Sequence, residues 1–128
     1  MGKRELTGCR VLVVEDEFFL AADLEDALDH SGADIVGPLS SVDTALAQLE
    51  RAEIDLAVVD INLGGDMAYP LADALLRNNV PFLFASAYDR ADVPSRFCEI
   101  PHVTKPYAMD DLIHTLAELA RTRSANTH

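Results

Sequence analysis

The chain has 128 residues, 49% of them apolar, which suits one domain with a proper core and leaves little room for a second. It carries 22 acidic against 10 basic residues, a formal charge of −12. A field of that sign repels nucleic acid and anionic membrane, and favours a divalent cation wherever carboxylates converge.

Strand and helix patterns alternate along the chain. The start, Met1-Gly2-Lys3-Arg4-Glu5-Leu6, has no apolar signal core, and no later stretch has the length of a membrane span, so a cytoplasmic protein is expected. Residues 10–15 read as a first strand, where Val11-Leu12-Val13-Val14 runs into Glu15-Asp16-Glu17. Residues 17–30 read as a helix with Leu20, Leu24, Ala27 and Leu28 on one face, and Gly32 stands where a helix would stop. Residues 34–36 form a short second strand closed by Gly37-Pro38. Ser40 or Ser41 can cap a helix over 42–52, in which Val42, Ala45, Leu46 and Leu49 share a face. The third strand, 55–60, ends on Asp60. A glycine-containing loop, Leu63-Gly64-Gly65-Asp66, then leads to a helix around 70–78 with Pro70 in its first turn. Pro81 opens a fourth strand that ends at Ser86. Polar clusters and Pro94 interrupt the period over 87–99, which predicts a short or irregular fourth helix. Residues 100–104 make the fifth strand and run into Lys105-Pro106. The last helix covers 108–121 with Met109, Leu112, Ile113, Leu116 and Leu119 inward. This divides the chain into a lead over 1–8, one domain over 9–121 and a polar tail over 122–128. Cys9 and Cys98 have no metal-like spacing and read as small core or near-core residues in a reducing compartment.

Five β units alternating with five α units predict a doubly wound parallel α/β sheet of flavodoxin-like order 2-1-3-4-5, covered by helices on both faces. Ligands of such sheets sit outside the carboxyl ends of the strands. That rule gathers Glu15, Asp16, Asp60, Ser86 and Lys105 at one edge. Crowded carboxylates repel, and a bound Mg²⁺ removes the conflict because it prefers hard oxygen ligands. Asp16 and Asp60 are the expected direct ligands, with Glu15 acting through water and the backbone carbonyl of Asn62 as a further oxygen. Asp60 could then act as nucleophile toward a phosphoryl donor. Lys105 would cover one phosphoryl oxygen as a point charge, Ser86 would donate to another, and Pro106 would fix the backbone beside the lysine. Taken singly, each of these residues has an ordinary structural role in a turn, a cap or a surface loop. Their joint order along one sheet edge favours a single site.

The residues that carry that order also carry a family resemblance. Val13-Val14-Glu15-Asp16-Glu17, Val58-Val59-Asp60-Ile61-Asn62-Leu63, Ala85-Ser86-Ala87 and Lys105-Pro106 resemble a receiver domain of two-component response regulators over residues 9–121. The resemblance implies phosphorylation of Asp60 by a histidine kinase or histidine phosphotransfer protein. It also implies Mg²⁺ at Glu15, Asp16 and Asp60, and reading of the phosphoryl group by Ser86 and Lys105. Pro81-Phe82-Leu83-Phe84-Ala85-Ser86-Ala87-Tyr88 is similar to the Pro-Phe-x-Phe-Ala-Thr-Gly-Tyr/Gly signature of the single-domain "FAT GUY" receivers, with Ser86 for Thr and Ala87 for Gly. Many receivers have an aromatic residue where this chain has His102, which is expected to face solvent, and Tyr88 is the candidate to replace it as the switch. Leu63-Gly64-Gly65 likewise departs from the common Met-Pro loop. No output domain is expected after residue 121, so the signal would leave by contact with a downstream protein, or the chain would act as a phosphate sink. A homodimer through the fourth helix, fifth strand and fifth helix is a further expectation. The alternative reading is a receiver-like interaction module without phosphoryl turnover. A metal-dependent phosphatase ranks last, because it wants a general acid where Asn62 stands.

Overall fold

The computed structural model describes residues 4–125 of the chain. In chain order the elements are β1 (Arg10–Val14), α1 (Phe18–His30), β2 (Asp34–Leu39), α2 (Val42–Arg51), β3 (Leu56–Val59), β4 (Asn62–Leu63), β5 (Asp66–Met67), α3 (Tyr69–Arg77), β6 (Phe82–Ser86), β7 (His102–Thr104) and α4 (Met109–Ala125). Five strands form a parallel sheet in the order β2-β1-β3-β6-β7, which is the expected flavodoxin-like order with β6 and β7 as its fourth and fifth members. The irregular segment before β7 has two single turns of 3₁₀-helix, Arg90–Asp92 and Ser95–Phe97, in place of a regular helix. No helix among the described residues is long and apolar enough to cross a membrane.

The central strands are buried on both faces, and their alternation divides the core in two. Leu12, Val14, Ala57, Val59, Phe82 and Phe84 pack with Leu71, Leu75 and Phe97 on one side. Val11, Val13, Leu56, Val58, Leu83 and Ala85 pack with Leu24, Leu28, Leu112 and Leu116 on the other. Each fully buried aliphatic side chain contributes about 1.5–3 kcal/mol. Local signals set the helix ends. Ser41 Oγ accepts from the Thr44 N–H at 3.2 Å and caps α2. Pro70 stands in the first turn of α3, and Gly32 follows α1 at φ +89°.

Register places the site. Val14 pairs with Val59, Val59 with Phe84, and Ser86 with Thr104. The ladder continues one residue beyond the strand ends. The Asp60 N–H donates to Val14 O at 2.9 Å, Glu15 N–H to Leu39 O at 2.9 Å, and Lys105 N–H to Ser86 O at 2.8 Å. The backbones of Glu15, Asp60, Ser86 and Lys105 therefore end at a common edge.

Four expectations need correction. β2 does not close at Gly37-Pro38 but continues to Leu39. It is an edge strand, where proline is tolerated, and a register shift opposite Leu12–Val14 with Gly37 at φ +113° absorbs the irregularity. Leu63–Asp66 is not a simple loop. Gly64 and Gly65 both have positive φ, as a two-residue hairpin turn of primed type requires, and β4 pairs with β5 across them. Cys98 is exposed, because the 3₁₀ turn ahead of it points only Phe97 inward, whereas Cys9 is half-buried as expected. His102 is half-buried rather than solvent-facing. At the ends, Leu6 from the expected lead over 1–8 is fully buried, and α4 runs past the expected end at 121. Residues 1–3 and 126–128 of the expected lead and tail lie outside the described residues.

Candidate functional site

Among the described residues buried polar ones are few, and three of the four, Glu15, Asp60 and Ser86, stand at the carboxyl edge of the sheet. Burying polar groups is costly unless they are paired, so their convergence marks a built site. Asp60 and Ser86 border an open pocket of about 330 Å³ whose walls also include Asp16, Glu17, Asn62, Tyr88 and Lys105, with Glu15 buried behind it. Gly64 and Gly65 of the β4–β5 turn form its rim.

Lys105 Nζ is the electrostatic centre. It lies 2.9 Å from Asp60 Oδ2, 3.0 Å from Glu15 Oε1 and 2.7 Å from Glu17 Oε1. Burial works against its ammonium charge, but hydrogen bonds to Glu17, Asp60 and Glu15 outweigh burial and hold its pKa above the ordinary lysine range. The Asn62 N–H donates to Asp60 Oδ1 at 3.2 Å, so both oxygens of this carboxylate are oriented. Glu15 is 3% exposed, and burial followed by the neighbouring Asp60 charge pushes its carboxyl up to about 7, against the Glu17 N–H and Lys105 bonds that favour ionisation. The Tyr88 N–H donates to Ser86 Oγ at 3.1 Å, which leaves the hydroxyl hydrogen of Ser86 free to point elsewhere. The Tyr88 hydroxyl donates to Met67 Sδ at 3.7 Å, linking the loop after β6 to the β4–β5 ribbon.

One carboxylate oxygen from each of Glu15, Asp16 and Asp60 lies within 4.8 Å of the others. Glu15 Oε1 is buried and, apart from its ion pair with Lys105, has no aligned hydrogen-bond donor among the described residues. Three hard oxygen donors at this spacing, one of them under-satisfied, fit a small divalent cation.

The structure thus brings together Glu15, Asp16, Asp60, Asn62, Ser86 and Lys105, with Tyr88 on the wall. Pro106 follows the lysine and stays exposed, outside the pocket lining. His102 does not join the site. It borders a separate small cavity of about 70 Å³ with Arg90, Phe97 and Cys98. Burial and then the Arg90 charge lower its pKa, and its Nε2 has no partner among the described residues. Two site residues escaped sequence reasoning. Glu17 was visible only as the last member of an acidic triplet. Tyr107, two positions past Lys105, has a buried hydroxyl pushed up to about 12 by burial and by the Glu15 charge.

Residues 11–117 match the family model described as the response regulator receiver domain, and the chain belongs to that family. Among solved structures it is similar to SdrG from Sphingomonas melonis Fr1, at 40% identity and a TM-score of 0.76, over 90% of this chain and 97% of that one. SdrG has also been solved in a BeF3-activated conformation, to which this chain is 37% identical with a TM-score of 0.74, over 94% of this chain and 99% of that one. The response regulator PhyR from Brucella abortus is 25% identical with a TM-score of 0.80, over 97% of this chain and 53% of that one. The sensory transduction protein LytT of Bacillus cereus is 26% identical over 120 residues, covering 91% of this chain and 49% of LytT. The chain spans about half the length of the curated relatives it matches.

Proposed function

We propose that this receiver domain accepts a phosphoryl group on Asp60 from a histidine kinase or histidine phosphotransfer protein, with Mg²⁺ held by Glu15, Asp16, Asp60 and the Asn62 carbonyl. The observation that carries the reading is the Lys105 ammonium 2.9 Å from a buried Asp60 carboxylate at an open pocket. An oriented Asp60 oxygen attacks phosphorus in line while the donor leaves on the far side. Lys105 stays protonated and supplies positive charge to one equatorial oxygen. Ser86 turns its free hydroxyl hydrogen toward another, and the Tyr88 N–H on Ser86 Oγ couples that movement to the loop after β6. When bound, Mg²⁺ supplies the remaining charge neutralisation. The output is a phosphorylation-dependent contact with a downstream protein or the draining of phosphoryl groups from the donor. The BeF3-activated conformation solved for SdrG supports the reading by family likeness.

The test is incubation with acetyl phosphate and Mg²⁺, followed by intact mass, with beryllofluoride and NMR shifts in parallel. The expected result is one phosphoryl adduct and a shifted spectrum for wild type, and neither for Asp60→Ala. An adduct of equal size on Asp60→Ala would remove the proposal.

A further inference from the structure

Glu17 occupies the N-cap position of α1, where a side chain ordinarily accepts from the helix's first N–H groups. Its carboxylate makes no such bond. It reaches Lys105 Nζ at 2.7 Å instead, the shortest of the three carboxylate contacts of that ammonium. The Glu17 N–H meanwhile donates to Glu15 Oε2 at 3.1 Å. One residue is therefore tied both to a carboxylate of the cation-binding cluster and to the lysine that faces the acceptor. The Glu17 side chain is 62% exposed against 13% for Lys105, which puts it at the mouth of the pocket.

An ammonium has three donors, and three carboxylates already surround this one. A phosphoryl oxygen gains Lys105 only by displacing one of them. Glu15 is buried within the cluster, and Asp60 is the atom source of the new bond. Glu17 is the partner that water can replace.

We infer that Glu17 is a positioning residue for phosphoryl transfer, acting through Lys105, and that it sets how readily the ammonium turns to an incoming phosphoryl group. The inference rests on Asp60 being the acceptor. In the step, an Asp60 carboxylate oxygen forms a bond to phosphorus and the donor's bond to phosphorus breaks, its electron pair leaving with the donor. Lys105 keeps its protons and exchanges the Glu17 oxygen for a phosphoryl oxygen. Glu17 opposes this twice, by competing for the ammonium and by repelling an anionic donor. A neutral isostere at this position speeds the reaction and strengthens the hold on the phosphoryl group.

The experiment compares wild type, Glu17→Gln and Glu17→Asp in Mg²⁺. It measures the acetyl phosphate rate by intact mass and beryllofluoride affinity by NMR titration, each at low and high salt. Glu17→Gln is expected to raise both the rate and the affinity by roughly two- to fivefold, the size of an exposed ion pair. Glu17→Asp, which keeps the charge, lies nearer wild type, and the gap narrows as salt screens the mouth. A purely structural role for Glu17 would change the thermal midpoint and would not give a salt-dependent gain. A normal adduct on wild type with an equal or slower rate in Glu17→Gln overturns this inference alone. No adduct and no beryllofluoride shift on wild type overturn the acceptor reading and this inference with it.

Discussion

Replacing Glu15 by Gln probes the most deeply placed charge of the site. Glu15 is 3% exposed, and its carboxyl is pushed up from 4.5 to about 7, first by burial. A folded pKa above the unfolded one means that the folded form holds the proton more tightly. The associated stability is fully present below the unfolded value of 4.5 and is lost as pH rises through about 7. At ~1.4 kcal/mol for each tenfold in proton affinity, this gap amounts to ~3 kcal/mol. Urea unfolding in a chelator should show wild type losing up to that much more stability than Glu15→Gln between about pH 5 and about pH 8, since the amide does not titrate. Every other group is common to both proteins, so the difference between the two curves isolates Glu15. If Mg²⁺ is held as proposed, adding it at the alkaline end should restore wild type more than the variant, because it would neutralise the same carboxylate. Parallel pH curves, or a variant less stable than wild type in chelator at about pH 8, would refute the reasoning.

Four further outcomes are expected. Gly37→Ala places a methyl group 2.7 Å from Val13 O and 2.9 Å from Leu39 N at φ +113°, and backbone cannot yield as a side chain can, so urea unfolding should show a loss of about 2–4 kcal/mol. Phe97→Ala removes a ring that is 1% exposed, stacked on Tyr69 at 5.7 Å and edge-on to Phe84 at 5.6 Å, and should cost about 3–5 kcal/mol by the same measurement. Tyr88→Ala should still be phosphorylated by acetyl phosphate but should lose phosphorylation-driven binding of a downstream partner, and undiminished binding would exclude Tyr88 as the switch. Phe18 and Phe19 are 77% and 81% exposed in the first turn of α1, directly after Glu17 of the pocket wall, so changing both to Ser should leave the acetyl phosphate rate intact and slow transfer from a protein donor by about tenfold, the weight of an interface anchor.

The parts of the fold that could be read directly from sequence are those whose side chains meet the core on both faces. Val11–Val14, Leu56–Val59 and Phe82–Ala85 are continuous apolar runs for that reason, and each is followed by a buried polar residue, Glu15, Asp60 or Ser86, at the carboxyl edge. The grouping of Glu15, Asp16, Asp60, Ser86 and Lys105 followed because aligned registers turn strand ends into neighbours. What escaped depends on tertiary context. Proline forbids a ladder bond only where one is needed, so Pro38 could not reveal that β2 continues along an edge. Gly64-Gly65 carried a usable hairpin signal, since two glycines separate Leu63 from Asp66. The Glu17–Lys105 contact joins residues 88 positions apart and has no local pattern to announce it. Cys98 was misplaced because a three-residue turn has no amphipathic period from which to infer facing, and His102 because β7 is a three-residue edge strand too short to show alternation.

The irregular segment between β6 and β7 has its own economy of bonding. The N–H groups of Asp92, Val93, Phe97, Cys98 and Ile100 all donate to carbonyls between Asp89 and Phe97, and the Arg90 guanidinium donates to Cys98 O. Its anchors to the body are the buried Phe97 ring, the half-buried Val93 and Ile100 packed against the same core, and the exposed Arg96–Asp73 pair. Displacing such a segment as one piece breaks none of its own hydrogen bonds and costs chiefly the withdrawal of Phe97 from the core. In native-state hydrogen exchange its amides should open together, at lower free energy than those of β3 and β6. Movement at Ser86 and Tyr88, immediately before this segment, therefore meets a part whose own bonds survive displacement and whose hold on the body is chiefly the packing of Phe97.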